Sequence, residues 1–413
     1  MLKLCSQRHL FAYFRYMKKF LLLLLVSSSL SSCYILRAYN NRHFKLEDLD
    51  RMDADTLYQS SRPFYFRQGS LDSDNKAWLD SNLANTDTYA FLVIRNDSIL
   101  YEKMFVDSAA IMPSFSVAKS FVSTLTQIAV QEGKIKSLQQ PITEYLPWLQ
   151  EQDERFSQIT IQHLLDMRSG IRSSEDYYKP ASDVLKLGFT KNIRGKLRSL
   201  EIEKAPGTNE YKSVNTQLLA MVVEAATGQH IQDYLQEKIW EPLGMESYAT
   251  WNIDSRRHRQ ARAFCCINAK ARDYAKLGRL YLNKGNWNGQ QLLDGAWVTN
   301  TTSGDTMFAY DGYKNQWWTG NNTRYFSDSA EAAKLAAGKH CKQLPSIISR
   351  RDGKPRYPVL CTGNASFMAK GILGQYIFVN PANNTIVVRL GHNWKHPQIN
   401  AERFLHKASA IGE

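Results

Sequence analysis

Two β-hairpin signals stand at opposite ends of this chain, and the stretch between them is written in helical periods. Tyr89-Ala90-Phe91-Leu92-Val93-Ile94 is an apolar strand run, Arg95-Asn96-Asp97-Ser98 is turn chemistry, and Ile99 to Phe105 resumes the strand. Towards the other end, Gln375–Val379 and Thr385–Leu390 flank Asn383-Asn384 in the same way. Between them, Ala118, Phe121, Val122, Leu125, Ile128 and Ala129 form a helical stripe that Gly133 closes. Further helices are expected over Thr160–Leu165, Thr216–Ala226, Ile231–Trp240 and Ala269–Leu282, and a last one near Ala401–Ala408. This order predicts an α/β (α+β) chain, with one antiparallel sheet assembled from both ends, flanked by helices and interrupted by a mostly helical insertion.

Composition narrows the class. With 413 residues, 43% of them hydrophobic and 22% charged, the chain is neither disordered nor of low complexity. Its length suits one large domain or two intimately joined ones. After residue 40 no run of 18 apolar residues occurs, so the body is no helical membrane protein. The formal charge of +13 falls to +8 without residues 1–32, which carry Lys3, Arg8, Arg15, Lys18 and Lys19 and no acid. Such a surplus favours anionic surroundings. No zinc-ligand spacing or RNA-binding aromatic motif accompanies it, so nucleic acid is not an expected partner.

The N-terminus is an address. Met17-Lys18-Lys19, the apolar run Phe20–Val26 and Leu30-Ser31-Ser32-Cys33 have the form of a secretory signal. Leu-Ser-Ser-Cys resembles a bacterial lipobox, which makes Cys33 a candidate lipid-attachment site and Met17 a candidate start. The expected organisation is a signal over 1–32, a tether over 33–75 and a catalytic domain over 76–413. The chain would then be exported and held at the cell envelope by lipid. Of the remaining cysteines, Cys341 and Cys361 could close a loop, and Cys265-Cys266 read as buried thiols.

Ser116-Val117-Ala118-Lys119 opens the first long helix, and a spacing of three puts both side chains on one face. A serine hydroxyl needs a base to become a nucleophile. A lysine buried near a helix start loses solvation and faces an unfavourable dipole, so its pKa drops and it can accept a proton. The spacing is common by chance, and Ser73-Asp74-Asn75-Lys76 repeats it. There Ser73 reads as a helix N-cap. Pro206-Gly207-Thr208-Asn209-Glu210-Tyr211-Lys212-Ser213-Val214-Asn215 sets a phenol at the mouth of another helix, where it could serve as a base or proton shuttle.

Together with Thr160–Gly170, Asn268–Gly278 and Gly371-Ile372-Leu373-Gly374-Gln375, these motifs resemble the serine β-lactamase and penicillin-binding-protein superfamily in its class C-like branch. Tyr211-Lys212-Ser213-Val214-Asn215-Thr216 is most similar to the 6-aminohexanoate-dimer hydrolase-like subgroup. The resemblance implies a serine hydrolase without cofactor or metal that forms an acyl-enzyme. It implies Ser116 as nucleophile, and Lys119 and Tyr211 as proton-transfer groups. Ser213, Asn215, Gly371, Gly374 and Gln375 would support the substrate, and Tyr177 would lie on a substrate-facing lid with Glu175, Asp176 and Tyr178. The oxyanion hole would combine the Ser116 N–H with a strand N–H. Family enzymes carry a cation where Ser366-Phe367-Met368 stands here, and Lys370 is out of that register. A β-lactam carboxylate is therefore poorly served, and a small or peptide-like amide or ester is the expected substrate. A DD-peptidase-like enzyme and a non-catalytic binder that keeps the fold are the alternatives. His163, His392 and the basic run Arg256–Arg262 read as structural or surface features.

Overall fold

The computed structural model describes residue 49 and residues 51–412, apart from 108–109, 304–311, 320–322, 339–340, 350–352, 362–365 and 396–398. Met17 and Cys33 lie outside the described residues. The strands that frame the site are β1 (Ala54–Leu57), β2 (Asp87–Arg95), β3 (Ser98–Met104), β4 (Ala249–Asn252) and β5 (Ile267–Ala269). They are followed by β6 (Trp317–Thr319), β7 (Phe367–Gly371), β8 (Gln375–Asn380) and β9 (Thr385–Asn393). The principal helices are α1 (Ser73–Ala84), α2 (Ala118–Gln131), α3 (Ile161–Leu165), α4 (Ser213–Thr227), α5 (Ala271–Leu282) and α6 (Ala401–Ser409).

The large sheet joins both ends of the chain, as the two hairpins predict. Its order is Tyr313–Lys314, β6, β7, β8, β9, β2, β3 and Arg67–Gln68. Every pairing is antiparallel except the last, in which Arg67–Gln68 runs parallel to β3. The first hairpin turns on Asn96 and Asp97, both at positive φ (49° and 60°), a conformation these two side chains tolerate. β9 lies against β2 with Thr385 opposite Arg95, and this pairing closes the sheet.

One sheet face is covered by α1 and α6, through Leu79, Leu83, Phe404 and Leu405 against Phe91 and Phe378. The other face meets α5. Gly278 lets that helix down onto the strands, since a Cβ there would sit 2.9 Å from Ile377 Cγ2 and 3.1 Å from Ile386 Cγ2. Beyond α5 lies the helical insertion, with α2 at its centre. α2 is buried on almost every side, polar residues included.

Three expectations change. Within the segment read as a tether, β1 pairs with β4, and Leu49, Leu57 and Phe66 are buried. The chain therefore joins the packed body well before residue 76. The N-cap of α1 is Asp72, whose carboxylate accepts from Asp74 and Asn75 N–H, and Ser73 stands one position inside. Cys265 and Cys266 form a disulfide with each other and are not free thiols. Their Cα atoms are 3.7 Å apart, the spacing of neighbours in a chain, and both residues are buried, so the bond joins adjacent residues and no distant partner. Cys341 is disulfide-bonded too, and stands opposite Cys361 in the register of its strand pair.

Because α5 rests on the sheet at Gly278, Gly278→Val should lower the urea midpoint by an amount equivalent to about 1–3 kcal/mol of overpacking. A midpoint equal to wild type would show that the helix does not seat there.

Candidate active site

Ser116 sits on a turn that two elements hold rigidly. Met112–Pro113 pairs with β5, the Ser114 N–H donates to Ile267 O at 2.7 Å, and Tyr274 of α5 donates its hydroxyl to Met112 O and Ile267 O, each at 2.8 Å. Phe115 then takes φ +43°, unusual for a bulky residue and a conformation that persists only where surroundings enforce it. A single 3₁₀ turn over Phe115–Val117 leads into α2 and leaves Ser116 partly exposed between buried neighbours. The end of β7 presses against this turn. A Cβ on Gly371 would lie 2.5 Å from Ser114 O, so only glycine lets the strand end approach.

Lys119 points from the first turn of α2 into the protein and is 1% exposed. Its Nζ lies 3.0 Å from Ser116 Oγ, 3.1 Å from Ser213 Oγ and 2.8 Å from Phe264 O. Burial lowers its pKa to about 7, against the opposing pull of the Glu175 charge. Nζ also lies 5.1 Å from the centre of the Tyr211 ring. The Tyr211 hydroxyl reaches Ser116. Burial drives this phenol above its ordinary pKa, although the Ser116 hydrogen bond pulls it down. The neutral phenol is therefore the resting form, not the phenolate that a cationic neighbour would have favoured.

Ser213 opens α4, and Glu175, from the loop that follows α3, caps that helix. The Ser213 N–H donates to Glu175 Oε2 at 2.8 Å, and its hydroxyl donates to Oε1 at 2.5 Å. The Tyr177 hydroxyl donates to the same carboxylate. A negative group at the start of a long helix is well placed against the macrodipole. Sequence reasoning placed Glu175 only in a lid. Its role at the helix start depends on a contact across 38 positions that no local pattern announces.

An aromatic wall stands on the other side. Trp318 of β6 stacks on Tyr211 with ring centres 5.6 Å apart, and Tyr313 meets both rings edge-on. Lys370 Nζ lies 5.6 Å from the centre of the Trp318 ring and 3.4 Å from Glu402. The out-of-register lysine thus reaches the rim of the aromatic wall.

Other candidates fall outside this cluster. Asn215 is buried and donates to Met167 Sδ at 3.4 Å. Gln375 is buried between strands and bonds Gly391 through both ends of its amide. Gly374, at φ +85°, makes room for Arg389, whose Nη1 donates to Gly374 O at 2.6 Å. These two hold the β7–β8 hairpin in shape. His163 accepts from the Thr160 N–H in a capping box. Arg256 and Arg259 reach Asp55, and Arg262 is buried on the carbonyls of Leu187 and Thr190, so the basic run is largely knitted into the fold. Among the described residues no group of His, Cys, Asp and Glu is arranged to hold a metal.

Comparison with known proteins agrees with this architecture. The Beta-lactamase family profile matches residues 79–410. A curated relative, the 6-aminohexanoate-dimer hydrolase of Paenarthrobacter ureafaciens, is 26% identical over 337 residues, 77% of this chain and 76% of its own. Among solved structures, a Bacillus anthracis protein described as a 6-aminohexanoate-dimer hydrolase superposes with a TM-score of 0.67 at 21% identity, over 90% of this chain and 92% of that one. A class C β-lactamase from Rhodobacter sphaeroides superposes with a TM-score of 0.53 at 19% identity, over 82% of this chain and 99% of its own.

The burial of Lys119 has a direct readout. With ¹³C-labelled lysine and Lys119→Met for assignment, the Lys119 ε-carbon should titrate near pH 7, charged below that value and neutral above it. A midpoint at the ordinary lysine value of about 10.4 would contradict the site as described.

Proposed function

Because this chain belongs to the β-lactamase family and is a hydrolase of that serine-enzyme superfamily, we propose that it cleaves an amide or ester through an acyl-enzyme on Ser116. The observation that carries this reading is the 3.0 Å contact between Ser116 Oγ and a buried Lys119 whose amine gives up its proton near neutral pH. Ser116 Oγ attacks the substrate carbonyl as Lys119 takes its proton. The tetrahedral oxyanion is met by the Ser116 N–H and by an N–H at the end of β7, which Gly371 brings close. Tyr211, a neutral phenol beside Ser116, donates a proton to the departing amine or alcohol. Water then attacks the ester with the same groups acting in reverse, and frees Ser116.

The substrate we favour is a short amide of the kind named for the relatives, ω-amino-acid dimers. Ser366-Phe367-Met368 offers no cation for a β-lactam carboxylate, and the aromatic wall of Tyr211, Tyr313 and Trp318 suits a flexible methylene chain. We place the enzyme at the cell envelope, anchored by lipid on Cys33, on the strength of the Met17–Cys33 sequence.

The test is a panel of ω-amino-acid dimers, p-nitrophenyl esters, D-amino-acid amides and a chromogenic β-lactam, run beside labelling by a fluorophosphonate. Wild type should be labelled at Ser116 and turn over the dimers or esters. Ser116→Ala should lose both with little change in thermal stability, since one hydroxyl leaves a polar surface. Tyr211→Phe and Lys119→Arg should each lose about 10²–10⁴-fold in rate. The guanidinium fails because it does not deprotonate near neutral pH. A fully active Ser116→Ala protein would falsify the assignment.

Mass spectrometry of the envelope fraction should find lipid on Cys33. An unmodified Cys33, or mature protein retaining residues 17–32, would exclude the anchor.

A further inference from the structure

The hydrogen bonds around Lys119 leave its nitrogen few choices. Phe264 O, 2.8 Å from Nζ, is a carbonyl and can only accept. Ser213 Oγ, 3.1 Å away, could in principle either donate or accept. Its single proton is already committed, however, because the Ser213 hydroxyl donates to Glu175 Oε1, and a carboxylate can only accept. Ser213 therefore turns a lone pair towards Lys119. Two acceptors claim two N–H bonds. A neutral amine has only two, so its lone pair is left facing the third neighbour, Ser116 Oγ, at 3.0 Å. The Ser213 N–H and the Tyr177 hydroxyl fix the carboxylate that sets this pattern.

We infer that Glu175 is a positioning residue, which holds the Ser213 hydroxyl proton and thereby aims the free Lys119 amine at Ser116. This rests on the reading of Ser116 and Lys119 as nucleophile and base. Without the carboxylate, the Ser213 proton can turn to the Lys119 lone pair, and the amine then spends part of its time facing away from Ser116. Here serine and Glu175 act together, since a hydroxyl alone has no fixed polarity.

Glu175 also acts on Lys119 through its charge. The other titratable groups facing the amine are Tyr177 from the same loop and Tyr211 from the segment before α4, with Tyr313 packed behind Tyr211. Burial pushes all three phenols up, which keeps them uncharged near neutral pH. Glu175 is the charge that raises Lys119 against its desolvation. The sign follows. The active form is the free amine, so activity rises with pH through the Lys119 pKa. Removing the Glu175 charge lowers that pKa and moves the rise to lower pH.

The test is the pH dependence of fluorophosphonate labelling at Ser116, which needs no knowledge of the natural substrate. Glu175→Gln keeps an acceptor for the start of α4. It should label about tenfold or more slowly on its high-pH plateau, a smaller loss than the 10²–10⁴-fold of removing the base itself. Its acid limb should move down by about one unit. Ser213→Ala should show a similar plateau loss and keep its limb closer to wild type. Adding Glu175→Gln to Ser213→Ala should cost little more rate, because the first acts through the second. A structural role alone would lower the melting temperature and leave the limb in place. An unmoved limb, additive plateau losses, or a Ser213→Ala protein labelled at the wild-type rate would each overturn the inference. The last of these stands even if Glu175→Gln does not fold. Failure of wild type to label at all would instead overturn the Ser116 reading beneath it.

Discussion

The removal of the Lys119 amine from water is the constraint on which the rest of the site depends. A lysine in bulk solvent keeps its proton to about pH 10.4 and can take none from serine. Placed on the first turn of α2 at 1% exposure, it gives up that preference. The surroundings that impose this are themselves demanding. α2 must enter the core, α4 must begin beside it, and the chain at Phe264 must turn a carbonyl towards Nζ. Each element comes from a different part of the chain, so the dry setting of this amine exists only once the fold is complete.

The polar residues on α2 show how that convergence is held. Ser120 Oγ donates to Gln316 O at 2.8 Å and Ser123 Oγ to Asn315 O at 2.6 Å. The Gln316 side chain in turn donates to Leu164 O and Leu165 O at the end of α3, and accepts from Thr216 Oγ1 on α4. Asp166 accepts from the Asn315 N–H. Asn315 and Gln316 both take positive φ, so this turn is a plug driven into the helical layer. It forms the tip of the hairpin that carries Tyr313 and Trp318, and docking it sets those rings against Tyr211. Satisfied hydrogen bonds make such a buried polar contact specific where apolar packing would tolerate several positions.

Local patterns made much of this readable in advance. The hairpins, the α2 stripe and its closing glycine, and the Ser116–Lys119 spacing are all decided by residues within a few turns of one another. What escaped depends on distance along the chain. Glu175 meets Ser213 across 38 positions. β1 pairs with β4 across nearly two hundred residues, so Ala54–Leu57 looks like an irregular tether until Thr250 and Trp251 are placed beside it. Arg389 lies within the strand run Thr385–Leu390 and is wholly buried, and its guanidinium ties together Leu373 O, Gly374 O and Asn393 O, contacts that the local pattern does not announce. The Cys265–Cys266 bond escaped for the opposite reason. Neighbouring cysteines rarely suggest one another as partners, and nothing in the local pattern separates two thiols from one bond.

Burial acts on the two proton-carrying groups in opposite senses. It loosens the proton on Lys119 and tightens the one on Tyr211, and both effects come from refusing charge to the same small volume. An amine that titrates near pH 7 and an intact phenol then face one serine hydroxyl, and in the proposed mechanism the first receives a proton and the second gives one. This is the separation that acid–base catalysis needs at neutral pH. The volume cannot be fully apolar, however, if it is to serve the proposed mechanism, in which moving the serine proton makes Lys119 cationic inside it. Phe264 O, the Ser213 lone pair and the Glu175 charge behind it face that new cation without having to move. The site is dry enough to shift the titration of both groups and polar enough along one wall to accept the charge that the proposed reaction would create.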